Sequence, residues 1–153
     1  MYKSPVGEIE ISATSKGITS LFFKKVEILN PNPSPLIQNC ILQLQEYFEG
    51  KRKIFTLSLD IQGTEFQIKV WTELLKIPYG STKTYLDISR AIGDQKATRA
   101  VGNANGKNKI SIVIPCHRVI GADGKLTGYA GGLHIKKWLL DFERKSHQTE
   151  LFE

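Results

Sequence analysis

The chain has 153 residues, 41% of them hydrophobic and 24% charged, with a net charge of +6 and only two cysteines. That length allows one good-sized core or two small ones, and the composition is that of an ordinary soluble globular protein. No run is apolar and long enough to span a bilayer, and Met1-Tyr2-Lys3-Ser4-Pro5 lacks the apolar core of a secretion signal. Two cysteines in unlike settings give neither a disulfide framework nor a metal-ligand spacing, so a reducing cytoplasm is expected, or a nucleus if the source is a eukaryote. The positive balance favours a polyanionic partner over a membrane.

In chain order, Glu8-Ile9-Glu10-Ile11 alternates with period two, and Ser15-Lys16-Gly17 signals a turn before Ile18 to Phe23. Together they read as a hairpin. Asn30 to Pro35 is a proline-rich loop. Ile37, Cys40, Ile41, Leu44 and Phe48 recur at helical spacing over Leu36 to Phe48, with Gly50 as the stop, so Cys40 belongs to a core face. Lys51-Arg52-Lys53 reads either as a solvated strand entry or as a DNA contact, ahead of Phe55, Leu57 and Leu59, which alternate as a further strand. Residues 1–62 thus form a small sheet with one helix and carry no catalytic signature.

Residues 63–153 read as a second, mainly helical domain, making the chain α+β overall. Thr64-Glu65-Phe66-Gln67 is a capping box opening a helix whose Phe66, Val70, Trp71, Leu74 and Leu75 share a face. Pro78-Tyr79-Gly80 ends it. Thr84 to Asp87 caps a short helix that Gly93 closes, and Asp94 caps another from about Gln95 to Asn103 or a little beyond. Two short helices across a glycine turn suggest a helix-turn-helix. In the second, Ala97, Thr98, Ala100, Val101, Gly102 and Ala104 are small beside Arg99. Such a helix either packs tightly on a neighbour or lies in a DNA groove with few base readers, hence little sequence specificity.

Ile110, Ile112, Val113 and Ile114 read as a short buried strand leading into Pro115-Cys116-His117-Arg118-Val119. Cys116 has two readings: a small buried hydrophobe, as free cysteines usually are, or a nucleophile whose thiolate is favoured by a helix start at Pro115 and by a nearby histidine. Adjacent side chains do not face each other, so His117 would act on the thiol through a water. Gly121-Ala122-Asp123-Gly124 is a turn, Gly128 to Gly132 a loop, and about Leu133 to Lys145 a last helix with Ile135, Trp138, Leu139 and Phe142 on one face. The tail from Gln148 to Glu153 reads as frayed.

Gly102 to Asn108, Pro115 to Val119 and Gly128 to Leu133 closely resemble the active-site region of the O6-alkylguanine-DNA alkyltransferases, the methylated-DNA-protein-cysteine methyltransferase family. Phe66-Gln67, Val70-Trp71, Ile77-Pro78-Tyr79-Gly80, Thr84-Tyr85, Arg99 to Gly102 and Trp138 to Leu140 fall in that family's order and spacing, so the resemblance runs from about Gly63 to Glu143. It implies irreversible, single-turnover transfer of an alkyl group from O6-alkylguanine in DNA to Cys116, with O4-alkylthymine as a further possible lesion. His117 would be the base and Glu143 its orienter. Tyr85 would assist nucleotide flipping and hydrogen-bond the guanine, and Arg99 would fill the gap left by the extruded base. Ala97, Thr98 and Gly102 would lie along the minor groove.

The resemblance further gives Asn108 the role of tying the recognition helix to the active-site loop. Tyr129, Ala130 and Leu126 would wall the alkyl pocket. Some relatives carry serine where this chain has Ala130, which spares a backbone contact but loses a hydroxyl. A monomer without metal or organic cofactor is expected. Two other readings compete: an alkyltransferase-like protein that binds lesions without transfer, which Cys116 in an intact Pro-Cys-His-Arg context argues against, and a cysteine hydrolase using Cys116, His117 and Glu143 with turnover.

Overall fold

The computed structural model describes residues 2–23, 33–129 and 131–152, with side chains through residue 147. The chain divides into two compact units, Met1–Gln62 and Gly63–Glu153. The fold is mixed α+β, a small strand-bearing unit followed by a helical one.

In the first unit, β1 (Tyr2–Ser4), β2 (Gly7–Ala13) and β3 (Ile18–Phe23) form an antiparallel sheet in that order. The alternation in β2 sends Ile9 and Ile11 inward, as a half-buried strand requires. β1 escapes the sequence pattern because it is three residues long and only Ser4 in it is buried. The helix α1 (Pro35–Phe48) begins one residue earlier than its apolar spacing suggests. Pro35 occupies the first helical position, where its missing N–H costs nothing, and Ser34 accepts a hydrogen bond from the Ile37 N–H at 3.3 Å. Residues 30–32 of the proline-rich loop lie outside the described residues. Cys40, Leu44 and Tyr47 of α1 are fully buried.

Residues 55–59 do not form the expected strand. A single parallel bridge joins Ile18 to Leu59, made by Ile18 N–H to the Ser58 carbonyl at 2.9 Å and Asp60 N–H to the Ile18 carbonyl at 2.8 Å. Gly17 permits that approach, since a Cβ there would stand 2.5 Å from the Ser58 oxygen. Next to it a side chain takes the place of a strand partner. Gln43 accepts from the Thr56 N–H at 2.9 Å and donates to the Thr56 carbonyl at 3.2 Å. Of the basic cluster, Arg52 pairs with Glu46 and donates to the Ile54 carbonyl, while Lys51 pairs with Glu49.

The second unit contains α2 (Glu65–Leu74), β4 (Lys83–Thr84), α3 (Tyr85–Ala91), α4 (Thr98–Gly106), β5 (Val119–Ile120) and α5 (Leu133–Phe152). Capping boxes open both α2, through Thr64 and Gln67, and α3, through Thr84 and Asp87. Gly93, at φ +87°, takes the left-handed turn out of α3. Asp94 then caps a 3-10 turn, Gln95–Ala97, that precedes α4; the expected single helix is thus two pieces, the second ending at Gly106. Val101, Ala104 and Asn105 form the buried side of α4, and the Trp71 indole N–H of α2 donates to the Ala104 carbonyl at 2.8 Å. β4 and β5 pair in parallel, Lys83 with Val119 and Thr84 with Ile120. This two-residue ladder sets the start of α3 beside the turn that carries Cys116. The last helix runs to Phe152, past Lys145 and through most of the stretch expected to fray.

Candidate active site

Residues 110–114 are a buried turn, not a strand. The Ile114 N–H reaches back to the Ile110 carbonyl at 3.0 Å, and the Val113 N–H to the Ser111 carbonyl at 2.8 Å. Ile112 sits at φ +70°, a left-handed conformation that costs a β-branched residue about 1–3 kcal/mol. Aliphatic content misleads here because the segment is buried through a turn whose carbonyls are satisfied from within. Asn108 supplies that satisfaction: its amide donates to the Ile114 carbonyl at 2.8 Å and the Ile110 carbonyl at 3.4 Å, and its oxygen accepts from the Ile110 N–H at 3.1 Å. Asn105, at the end of α4, donates to the Cys116 carbonyl at 3.3 Å.

Cys116, His117 and Arg118 follow as one buried 3-10 turn after Pro115. Burial pushes the Cys116 thiol up to about 11, against the lowering influence of the Asn108 amide, the Lys136 charge and the N–H groups of Cys116 and His117. The helix-start effect expected from the sequence is therefore outweighed. The resting cysteine is a thiol, and a base must take its proton before it attacks.

The base stands next to it in sequence and turns the other way. His117 Nε2 lies 2.7 Å from Glu143 Oε2, while Nδ1 is buried and meets no protein hydrogen-bond partner among the described residues. Burial lowers the basicity of His117; Glu143 opposes that, and Arg118 and Lys136 add to it. Glu143 reaches this point from α5 because Ile135 and Leu139 press that helix into the core. Burial raises its carboxyl, but His117 and then Arg118 together outweigh that and hold it well below the usual carboxylate range.

Arg118 and Lys136 belong to the site although sequence reasoning gave neither a role. Arg118 Nε donates to Glu143 Oε1 at 2.7 Å and Nη2 to Oε2 at 3.0 Å, while Nη1 donates to the Ile77 carbonyl at 2.8 Å and the group lies over the Tyr79 ring. Lys136 is fully buried, donates to the Thr127 carbonyl at 2.8 Å and has its ammonium 5.9 Å from the Tyr85 ring centre. Burial brings it down to about 8, with Cys116 opposing. Lys136, Leu140 and Glu143 follow each other at helical spacing on a buried face, the one signal that could have found Lys136.

The remaining expected residues lie on α3, on α4 and its preceding turn, and in the loop before α5. Tyr85 opens α3, and its hydroxyl lies 2.6 Å from the Thr127 hydroxyl. Tyr129 has a buried hydroxyl; burial first, then Cys116, pushes its pKa well above the ordinary value, with Ser111 opposing, so it is a neutral phenol. Leu126 is half-buried, and Ala130 lies outside the described residues. On α4, Arg99 is exposed, whereas Gly102 faces Tyr85, whose ring would lie 3.8 Å from a Cβ added there. Thr98 is half-buried, with its hydroxyl directed to Ser89 and the Gln95 carbonyl, and Ala97 is half-buried in the preceding turn. Among the described residues no group of three or more His, Cys, Asp or Glu is placed to hold a metal ion.

The family model described as the 6-O-methylguanine DNA methyltransferase DNA binding domain matches residues 65–145, and that of the ribonuclease-like domain of the same proteins matches residues 1–61. The chain belongs to the 6-O-methylguanine DNA methyltransferase family. It is 47% identical to a methylated-DNA–protein-cysteine methyltransferase of Methanosarcina barkeri, over 94% of this chain and 95% of that one. With the constitutive methylated-DNA–protein-cysteine methyltransferase of Bacillus subtilis it shares 44% identity over 97% and 96%. Among solved structures it is similar to the Mycobacterium tuberculosis OGT in complex with DNA, at 43% identity and a TM-score of 0.86 over 94% of this chain and 91% of that one. Membership of the 6-O-methylguanine DNA methyltransferase family thus covers both units of the chain.

Proposed function

We propose that this chain repairs DNA directly, moving an alkyl group from guanine O6 to Cys116 in one irreversible turnover. The observation that carries the reading is the buried Cys116 thiol beside a His117–Glu143 pair whose Nδ1 is left unbonded. Glu143 holds the His117 proton on Nε2. Nδ1 draws the thiol proton through a bridging water, following the orienter, base and nucleophile order of hydrolytic triads. The sulfur then forms a bond to the alkyl carbon as the carbon–O6 bond breaks. The electron pair stays on the guanine, which takes up a proton with Tyr85 as the hydrogen-bond donor that steadies the developing charge.

The product is a thioether. It has no electrophilic carbonyl for water to attack, so Cys116 is consumed rather than regenerated. That separates the reading from a cysteine hydrolase, and the intact thiol separates it from a lesion-binding relative that transfers nothing.

The substrate is duplex DNA, bound from the minor groove by α4 with α3 behind it as a helix-turn-helix, the chain acting as a monomer. The small residues of α4 and the exposed Arg99 support close approach and flipping of the damaged nucleotide. Thr98 and Ala97 lie at the leading end of that helix, and Gly102 on it faces the Tyr85 ring. Asn108 keeps the 110–114 turn in shape below the thiol. Tyr129, Ala130 and Leu126 bound the alkyl group, and residues 63–153 carry both DNA binding and transfer, leaving 1–62 as a separate folding unit. No metal or organic cofactor takes part. The test is mass spectrometry after incubation with O6-methylguanine duplex. One methyl group retained on the Cys116 peptide, and no more than one per chain, is expected; release of methanol with an unmodified Cys116 would overturn the reading.

A further inference from the structure

A carboxylate beside a histidine can do two different things. It can stabilise the charged imidazolium, or it can merely fix the neutral ring in one tautomer. Which of these happens depends on what else the carboxylate is bonded to, since a carboxylate already matched by a cation has little field left over for the ring. Here both Glu143 oxygens are engaged by the planar fork of Arg118, at 2.7 and 3.0 Å, and one of them also meets His117 at 2.7 Å. The third prong of the guanidinium is fixed on the Ile77 carbonyl, and its face lies over the Tyr79 ring, so the fork cannot swing away. All three members of the chain of contacts are buried.

We propose that Arg118 is a positioning residue that neutralises Glu143, leaving it a hydrogen-bond acceptor only, and thereby fixes His117 as a neutral base with its free lone pair on Nδ1. The inference rests on the alkyl-transfer reading in that it concerns the base of that reaction. The groups acting on the imidazole are Glu143 and Lys136 from α5 and Arg118 after it in the chain, with the Cys116 thiol its neighbour in sequence; the Tyr129 phenol is sensitive to both Cys116 and Glu143. Apart from Glu143, every charged group among them is a cation. With the fork in place, protonating His117 would add a third positive charge against one carboxylate. Burial is the first cause of the lowered basicity of His117; Glu143 opposes it, and Arg118 and Lys136 add to the lowering.

The consequence is that Cys116 and His117 rest as thiol and imidazole rather than as a thiolate–imidazolium pair. A cysteine that can be used only once is then kept from stray electrophiles until a substrate alkyl group is in place.

The test needs no DNA. In the wild-type chain, nitrogen chemical shifts of His117 should report a neutral ring with its proton on Nε2 at neutral pH. An imidazolium, or a proton on Nδ1, would overturn the proposal without recourse to any variant. In Arg118→Met the uncompensated Glu143 should charge the ring, moving its titration upward by about one unit or more and speeding iodoacetamide labelling of Cys116 near neutral pH. In Arg118→Lys, which keeps the charge but not the fork, the titration should stay near that of wild type. A folded Arg118→Met chain with unchanged His117 titration would also refute the role. Since these readouts are independent of methyl transfer, a chain that shows the expected tautomer but leaves Cys116 unmethylated would sink the functional reading and spare this one.

Discussion

The two buried cysteines of this chain lie in opposite kinds of surroundings. Cys40 is on the inner face of α1, and burial alone pushes its thiol up to about 12. Cys116 is pushed up nearly as far by the same cause, to about 11, yet the Asn108 amide, the Lys136 charge and two backbone N–H groups act on it. Desolvation therefore does not distinguish a structural cysteine from a reactive one in this molecule. The difference is the polar machinery that surrounds one of them and is missing around the other.

The strongest way to break that comparison is to exchange the roles. Cys116→Ser should abolish methyl transfer, whereas Cys40→Ala should leave transfer intact and cost about 1–2 kcal/mol of stability through lost packing. Mass spectrometry and urea melts on both variants check this; residual transfer in Cys116→Ser at a normal rate, or its loss in Cys40→Ala, would contradict the distinction.

Glu143→Gln comes next. Without the carboxylate Arg118 is a buried cation lacking its partner, a loss of about 3–5 kcal/mol, and transfer should slow by about 100-fold or more as the base loses its anchor. The pH dependence has a definite sign. A carboxyl held below its ordinary value contributes stability that is present above that value and is lost as pH falls through it toward the lowered one. Wild-type stability should thus decline as pH drops below 4.5, and Glu143→Gln should lack that part of the decline. Acid melts of the two proteins that superimpose in slope would show that the pair contributes nothing.

Arg99→Ala tests the exposed side of the second unit rather than its buried one. Repair of duplex DNA should fall several-fold and lose part of its salt sensitivity, while reaction with free O6-methylguanine should be unchanged because no nucleotide is flipped. Equal losses on both substrates would place Arg99 in the chemistry instead of the groove.

How much of this was legible beforehand follows the same division. Elements with a repeating apolar pattern and a capping residue, such as α1, α2 and α3, could be read directly, since local spacing and the cap determine them. The 110–114 turn could not. Its aliphatics match a buried strand, and only the Asn108 amide and the left-handed Ile112 reveal the turn. The extended 55–59 segment failed for a related reason, because Gln43 supplies from α1 the bonds a strand partner would have made. In the site, the adjacency of Cys116 and His117 was visible, but the fork of Arg118 on Glu143 depends on a contact across 25 residues. Lys136 was hidden differently: a lysine on a helix is normally solvated, and only its phase with Leu140 and Glu143 set it inside.

Lys136 also provides the subtlest test, since its charge both supports the site and burdens the fold. Its ordinary value of 10.5 is brought down to about 8 by burial, so at neutral pH the folded chain carries a charge it holds less firmly than the unfolded one does. Between those values the unfolded chain binds more protons at this lysine, so the Lys136 contribution to stability should rise as pH increases from about 8 toward 10.5, against the two buried thiols, whose contribution falls above their ordinary 9.0. Lys136→Met should remove that rise. At neutral pH it trades the relieved desolvation against an orphaned Thr127 carbonyl, two effects of opposite sign, so its net stability change should lie within about 1 kcal/mol of zero. Transfer should nevertheless slow, because the loop carrying Thr127 and Tyr129 loses its tether and Cys116 its nearby cation. Urea melts at neutral and alkaline pH, paired with single-turnover methylation rates, separate the two contributions. A variant that keeps the alkaline rise would show that another group titrates there, and one that keeps the full rate would reduce Lys136 to a buried charge without a part in the chemistry.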